Sequence, residues 1–258
     1  GTKTCAGYPS SYGHEFEDAR QFAEWGVDYL KYDFCNFPVS GDAKNAYLTM
    51  AMALRHTGRE ILFAACNWGK YDPSGWMRSR GAHTYRSTGD IFDVPRSYQD
   101  IFKQQVENIE GNAPGCYNDL DMLIVGMHGK GNVGIGGCSD EQYLQHFAMW
   151  AFLTSPLIIG ADIRSIDGSN KATLLNKGLI AINQDGECCP AFLIENVGDK
   201  HYTLGKILSG IHSESGLFLK ITDAITGEEL GTFQDAYTAV LRGCQSQVVI
   251  AELVKPEK

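Results

Sequence analysis

Val27-Asp28-Tyr29-Leu30-Lys31-Tyr32-Asp33-Phe34-Cys35-Asn36 is the stretch on which the reading of the fold turns. Val27, Tyr29 and Leu30 suit a short buried strand, and Asp33 and Asn36 suit the exit from one. In α/β proteins chemistry collects at the carboxyl ends of parallel strands, where loops converge on a common mouth. Lys31 and Asp33 stand two positions apart, so both face the same side of an extended chain. An ammonium there keeps the carboxylate ionised, as a nucleophile requires. A structural ion pair at a strand end fits these residues equally well.

Outward from this stretch, helices and strands alternate. Residues 14–25 read as an amphipathic helix with Phe16, Ala19, Phe22 and Ala23 on one face, ended by Gly26. A second helix runs from about Asp42 to His56 and stops at Gly58, and the buried strand at 61–65 leads to Cys66-Asn67-Trp68-Gly69. A short third strand at 83–86 leads to Ser87-Thr88-Gly89-Asp90, and residues 95–108 look helical. Met122-Leu123-Ile124-Val125 reads as the fourth strand and Pro156-Leu157-Ile158-Ile159-Gly160 as the fifth. Between them Ser139 caps a helix that reaches about Leu153. This alternation predicts a parallel sheet with its functional loops on one side. After residue 185 the pattern changes to short strands at Tyr202–Leu208, Gly216–Asp223, Gly231–Phe233 and Gln247–Leu253, with a turn at Gly227. We therefore expect a parallel α/β portion over 1–185 and a small antiparallel β domain over 186–258. Residues 186–215 are the least readable part.

A net charge of -9 over 258 residues argues against a nucleic-acid or anionic-membrane surface, and no apolar run approaches the ~20 residues of a membrane span. The opening Gly-Thr-Lys-Thr-Cys is unlike a signal peptide, and without an initiator Met the chain is expected to begin inside a longer gene product. Eight cysteines exceed the needs of a cytosolic enzyme and leave room for one or two disulfides, which spacing alone does not establish. With no C-x-x-C pair and scattered histidines, neither zinc nor any other metal or cofactor is expected.

Three successive strand ends offer groups suited to a sugar: Lys31 and Asp33, then Cys66 and Trp68, then Arg86 and Asp90. Glycoside hydrolysis needs two carboxylates, one to attack or stabilise the anomeric carbon and one to protonate the leaving oxygen. Trp68 could stack on a pyranose face. Asp90 taken alone also fits a loop or cap residue.

Several segments, in order and spacing, resemble the glycoside hydrolase family 27 α-galactosidases (melibiases), members of a clan of retaining TIM-barrel enzymes. They are Lys3-Thr4-Cys5-Ala6-Gly7-Tyr8-Pro9, the run from Trp25 to Asp33, Cys66-Asn67-Trp68-Gly69, Arg86-x-x-x-Asp90, Asn118-Asp119-x-Asp121-Met122-Leu123, Ser155-Pro156-Leu157 and Ala181-Ile182-Asn183-Gln184-Asp185. The resemblance implies a TIM (β/α)8-type barrel followed by a β domain, and hydrolysis of terminal α-galactosyl units in oligosaccharides or glycoconjugates. It implies that Asp33 is the nucleophile and Asp90 the acid/base, their carboxyls about 5–6 Å apart. Lys31 would bond the sugar's 3- and 4-hydroxyls and Arg86 its 2-hydroxyl. Cys66 and Trp68 would wall off an N-acetyl group, and Met122 would lie on the pocket floor or simply pack in the core. Cys5 and Cys35 match a disulfide pair of the family, which would favour a secreted or extracytoplasmic setting, while Cys66 has no evident partner.

The chain departs from the family in beginning after the third barrel strand, so that the Trp-Asp-Asp segment for the 4- and 6-hydroxyls is absent and about five strands, the fourth to the eighth, are expected. An opened barrel leaves unpaired edges, so a longer polypeptide or a partner, such as a second copy, is expected to complete it. Leu120 stands where relatives usually carry Pro. Two other readings stay open: a β-L-arabinopyranosidase of the same family, and a non-catalytic galactose-binding remnant or subunit.

Overall fold

The structure, a computed structural model, describes residues 1–131, 133, 135–186, 191–195, 202–208, 216–234 and 236–255. The chain forms two compact units, one from Gly1–Asp90 with Lys103–Asp121, the other from Ile91–Phe102 with Met122–Lys258.

In the first unit, α1 (Glu15–Glu24) leads to β1 (Tyr29–Tyr32), α2 (Ala43–His56), β2 (Leu62–Cys66) and β3 (Thr84–Arg86). The helix α3 (Pro95–Val106) gives its first residues to the second unit and its last to the first, and β4 (Tyr117–Asp119) follows. The four strands form one parallel sheet in the order β1-β2-β3-β4. Gly26, at φ 76°, reverses the chain after α1, so that Val27 N–H bonds the Phe22 carbonyl at 3.0 Å. Asp42 starts α2 by accepting from Asn45 N–H at 3.1 Å. Ala19, Tyr47, Met50, Ala53, Leu54 and Phe63 fill the core of this unit.

The fourth strand is not where the apolar run predicts it. It is Tyr117–Asp119, and Met122–Val125 makes only one isolated parallel bridge, Leu123 with Ile159. Asp121 is the physical reason: at φ 83° it takes the left-handed conformation, which an extended chain cannot pass through. The expected fifth strand at 156–160 likewise reduces to that bridge.

In the second unit Ser139 and Gln142 cap α4 (Asp140–Phe152) reciprocally, each side chain bonding the other's backbone N–H. Two helices the sequence pattern did not suggest follow, α5 (Gly168–Leu174) and α6 (Lys177–Gln184). The chain then turns to antiparallel strands, β5 (Ala191–Glu195), β6 (Tyr202–Leu208), β7 (Phe218–Asp223), β8 (Glu229–Phe233), β9 (Ala236–Leu241) and β10 (Ser246–Val254). Their sheets run β5-β10-β7-β8 and β6-β9. β5 and β9 were not foreseen. Much of the least readable stretch 186–215 lies outside the described residues. Gly227, at φ 77°, makes the expected turn between β7 and β8, and Ile221, Leu241, Val249 and Ala251 form the core beneath.

Candidate active site

Strand register assembles the site. Cys66 on β2 pairs with Arg86 on β3, and Arg86 with Asp119 on β4. Neighbours in register across a parallel sheet share a face, so these three side chains form a row at the carboxyl ends. Lys31 pairs with Ala64, two residues before Cys66. Alternation therefore brings Lys31 onto the same face and aligns Asp33, just past the end of β1, with the row.

Arg86 is the hub. It is 2% exposed, and its Nη2 donates to Asp121 Oδ2 at 3.0 Å, Asp90 Oδ1 at 3.2 Å and the Gly89 carbonyl at 2.8 Å. Burial works against its charge, but Asp121, Cys66, Asp119 and Asp90 together outweigh it and hold the guanidinium above its ordinary pKa. The Asp90 side chain is 63% exposed and free to meet a ligand. Asp119 is pushed above the usual carboxylate range by burial, a shift that Arg86 and the Asp121 N–H, 2.9 Å away, partly relieve. The Cys66 thiol is pushed up to about 12, chiefly by burial, while Arg86, Asp33, Lys31 and Asp119 all act on it.

Asp33 Oδ1 accepts from Phe34 N–H at 2.8 Å and lies 4.0 Å from the Cys35 sulfur. Among the described residues no ion pair joins it to Lys31, although both line a cavity of about 710 Å³ with Cys5 and Cys35. The expected Cys5–Cys35 disulfide is present. It ties the chain's opening segment to the loop after β1, as does Asn36, whose Nδ2 donates to the Thr4 carbonyl at 3.0 Å. Cys5, Asp33 and Cys35 form a group of metal-ligand types, but with the sulfurs bonded to each other the donor set does not fit a metal ion. Cys66 is free and buried, as are Cys116 and Cys138; Cys244 is free and half-exposed, and Cys188 and Cys189 lie outside the described residues.

Trp68 sits in the turn after β2 at φ 55°. Gly69 beside it cannot be replaced, because a Cβ there would stand 2.3 Å from the Ser87 carbonyl oxygen. Met122 belongs to the second unit, where its thioether lies against Gly160. Sequence reasoning gave no role to Asp119 and Asp121. Its signal was there, two carboxylates with one residue between them after Asn118.

A parallel sheet carrying a buried arginine and several carboxylates at its strand ends places the molecule among (β/α)-barrel proteins whose chemistry lies at that end. A comparison with known families makes this particular: residues 1–185 match the melibiase family described as Alpha galactosidase A, and the chain belongs to that family. An α-galactosidase of Arabidopsis thaliana is 42% identical over 186 residues, which are 72% of this chain and 44% of that protein. The chain thus spans less than half of that relative. The solved structure of α-galactosidase I from Mortierella vinacea superposes with a TM-score of 0.83 at 29% identity, over 97% of this chain and 74% of that one. A family 27 β-L-arabinopyranosidase from Geobacillus stearothermophilus shares the fold, with a TM-score of 0.80 at 18% identity over 99% of this chain and 67% of that one. The fold class is a TIM (β/α)8-type barrel, represented by part of its strands, followed by an antiparallel β domain.

Proposed function

We propose that this chain carries the catalytic pair of a retaining exo-α-galactosidase, with residues 1–185 as the barrel portion and 186–258 as the β domain. The Asp33 carboxylate attacks the anomeric carbon of a terminal α-galactosyl unit while Asp90 gives its proton to the departing glycosidic oxygen. That oxygen leaves as an alcohol, and an ester joins Asp33 to the sugar. Asp90, now a carboxylate, takes a proton from water, whose oxygen displaces Asp33 with overall retention. Lys31 would hold the 3- and 4-hydroxyls and Arg86 the 2-hydroxyl, with Cys66 and Trp68 as the wall beside it.

The observation that carries this reading is the Arg86 bridge. One buried cation holds Asp90 at 3.2 Å and Asp121 at 3.0 Å, in register with the row that leads to Asp33. A cation beside Asp90 stabilises the carboxylate needed in the second half-reaction. A mere sugar binder has no evident use for a carboxylate so placed. The α-galactosidases named above favour galactose, whereas the arabinopyranosidase at 18% identity supports the fold alone.

The test is hydrolysis of nitrophenyl α-galactoside and nitrophenyl β-L-arabinopyranoside by the same preparation. The proposal expects the galactoside to be preferred by more than tenfold, with α-galactose as the first product seen by NMR. Preference for the arabinoside would select the other family activity, and binding without turnover would select the non-catalytic reading.

A further inference from the structure

We propose that His128, Asp140 and Asn170 form a binding site for a divalent transition-metal ion, zinc above all, that fastens the loop around residue 128 to α4 and α5. All three belong to the second unit and none to the row of groups described above. The inference does not rest on the galactosidase reading. The three residues stand far apart in sequence, where no spacing rule for zinc motifs can find them.

Three donor positions surround one point. The Asn170 amide nitrogen lies 3.0 Å from His128 Nε2 and 2.9 Å from Asp140 Oδ1, and those two atoms are 3.6 Å apart. A triangle with these sides has a point about 2 Å from every corner, the distance at which zinc takes nitrogen and oxygen ligands. The amide donates to both neighbours, so Nε2 is the acceptor nitrogen of His128 and its lone pair is directed into the cluster. An imidazole nitrogen beside a carboxylate oxygen suits zinc and its neighbours in the first transition row, whereas magnesium and calcium take oxygen ligands. The side chains of His128 and Asp140 are 45% and 50% exposed, which leaves the ion an approach and room for water in its remaining positions.

The independent observation is the other end of the amide. Asn170 is only 7% exposed, and its Oδ1 is buried with no hydrogen-bond partner among the described residues. Native proteins rarely leave such an oxygen alone. Half a turn of the amide exchanges its oxygen and nitrogen and moves nothing else. The oxygen then faces a histidine lone pair and a carboxylate, an arrangement that a cation holds together. The turn leaves the NH2 in the oxygen's former place, so the net gain must come from the metal bonds.

The surroundings hold the ligands in place. His128 has φ 47°, a conformation that side chains rarely adopt and that persists where its neighbours over-determine it. Its N–H donates to Tyr143 Oη at 2.6 Å, the Tyr143 ring meets the imidazole edge-on at 5.0 Å, and the same hydroxyl donates to the buried Asp93 at 2.9 Å. Asp93 also accepts from Gly129 N–H at 2.7 Å. Ser169 Oγ donates to Asp140 Oδ2, which leaves Oδ1 for the ion. Outer partners of this kind orient the ligands of a metal site.

The test is a calorimetric titration of zinc chloride into the full chain, after alkylation of the thiols that react in the native state. It should show one ion bound per chain, and magnesium chloride should show none. Zinc at about 100 times its Kd should raise the melting midpoint by roughly 5–10 °C. His128→Gln and Asp140→Asn should each weaken zinc by about 100-fold or more. The surface substitution His14→Gln should change it less than about twofold, and Asn170→Asp should bind at least as tightly as the parent. No zinc binding by the parent, binding undisturbed by His128→Gln, or Asn170→Asp binding as weakly as His128→Gln would overturn the proposal. Amide NMR spectra of the parent need no variant. Zinc should shift the signals of residues 127–129, 140–141 and 169–171, and shifts confined to other residues would overturn the proposal as well.

Discussion

The two ends of the parallel sheet in the first unit are made of the same strands and differ in almost everything else. At the amino end lies a cavity of about 800 Å³ lined by residues such as Leu54, Arg55, Leu62 and His83. Polar side chains there bond mainly to the backbone. Arg59 holds the carbonyls of Gly26 and Val27 at 3.0 and 2.9 Å, and His83 Nδ1 accepts from Phe63 N–H at 2.9 Å. At the carboxyl end Arg86, Asp119 and Asp121 are buried together. The five non-glycine residues of this unit with positive φ, Asn36, Trp68, Tyr71, Asp72 and Asp121, all lie in loops at that end. The larger hollow thus holds none of the residues proposed for the site. Converging buried charge and costly backbone mark it better than volume.

The comparison breaks most sharply at Asp33. Asp33→Asn should lower kcat/KM on an aryl α-galactoside by ~10⁴-fold or more, and retention of even a hundredth of the activity would remove it from the nucleophile's place. The next largest effect is expected at the Arg86 bridge. Asp121→Asn leaves a buried guanidinium short of one partner and should cost roughly 3 kcal/mol in urea unfolding, with activity falling at least tenfold. At the opposite end, Arg59→Ala removes a pair with Asp28 whose side chains are 38% and 79% exposed. That substitution should cost about 1 kcal/mol or less and leave activity within twofold. A large loss of activity there would erase the difference between the two ends.

A buried group without converging charges sharpens the point. His146, fully buried on α4, accepts from Ile124 N–H at 3.2 Å, and burial pushes its pKa down to about 3. In the unfolded chain it titrates near its ordinary value of 6.5. Its stabilising contribution is therefore complete above pH 6.5 and is lost as pH falls toward 3, by roughly 1.4 kcal/mol per pH unit. Melts across that range should show the loss, and His146→Gln should flatten it. The smallest expected effect is chemical. Burial pushes the thiols of Cys66, Cys116 and Cys138 up to about 12, 11 and 12, so alkylation of the native chain near pH 8 should leave these three unlabelled while Cys244 reacts.

Much of this was legible in the sequence because local chemistry and packing agree there. β2 is a short apolar strand with a polar exit, while β1, expected to be buried, alternates exposed and half-buried residues; Gly26 and Asp42 mark helix boundaries by conformations and bonds their neighbours cannot supply. The fourth strand was hidden because its residues are polar. Asn118 is buried at the centre of a side-chain network, accepting from Ser87 Oγ at 2.6 Å and donating to Gln105. Hydrophobic periodicity cannot see a strand whose inward groups are satisfied by hydrogen bonds, and it chose the apolar run at 122–125 instead. The roles of Asp119 and Asp121 were hidden for the same reason. The register of Asp119 with Arg86 and the Arg86–Asp121 ion pair show that the two carboxylates lie with Arg86.

The most direct test of the Asp33–Asp90 pair replaces the nucleophile and supplies one in solution. Asp33→Gly, incubated with an activated α-galactoside and sodium azide, should regain turnover and release β-galactosyl azide, identified by its anomeric coupling in NMR. Azide then enters from the face Asp33 occupied, and Asp90 is left with its own role. Rescue that yields α-galactosyl azide, or full activity in Asp33→Gly without azide, would contradict the account.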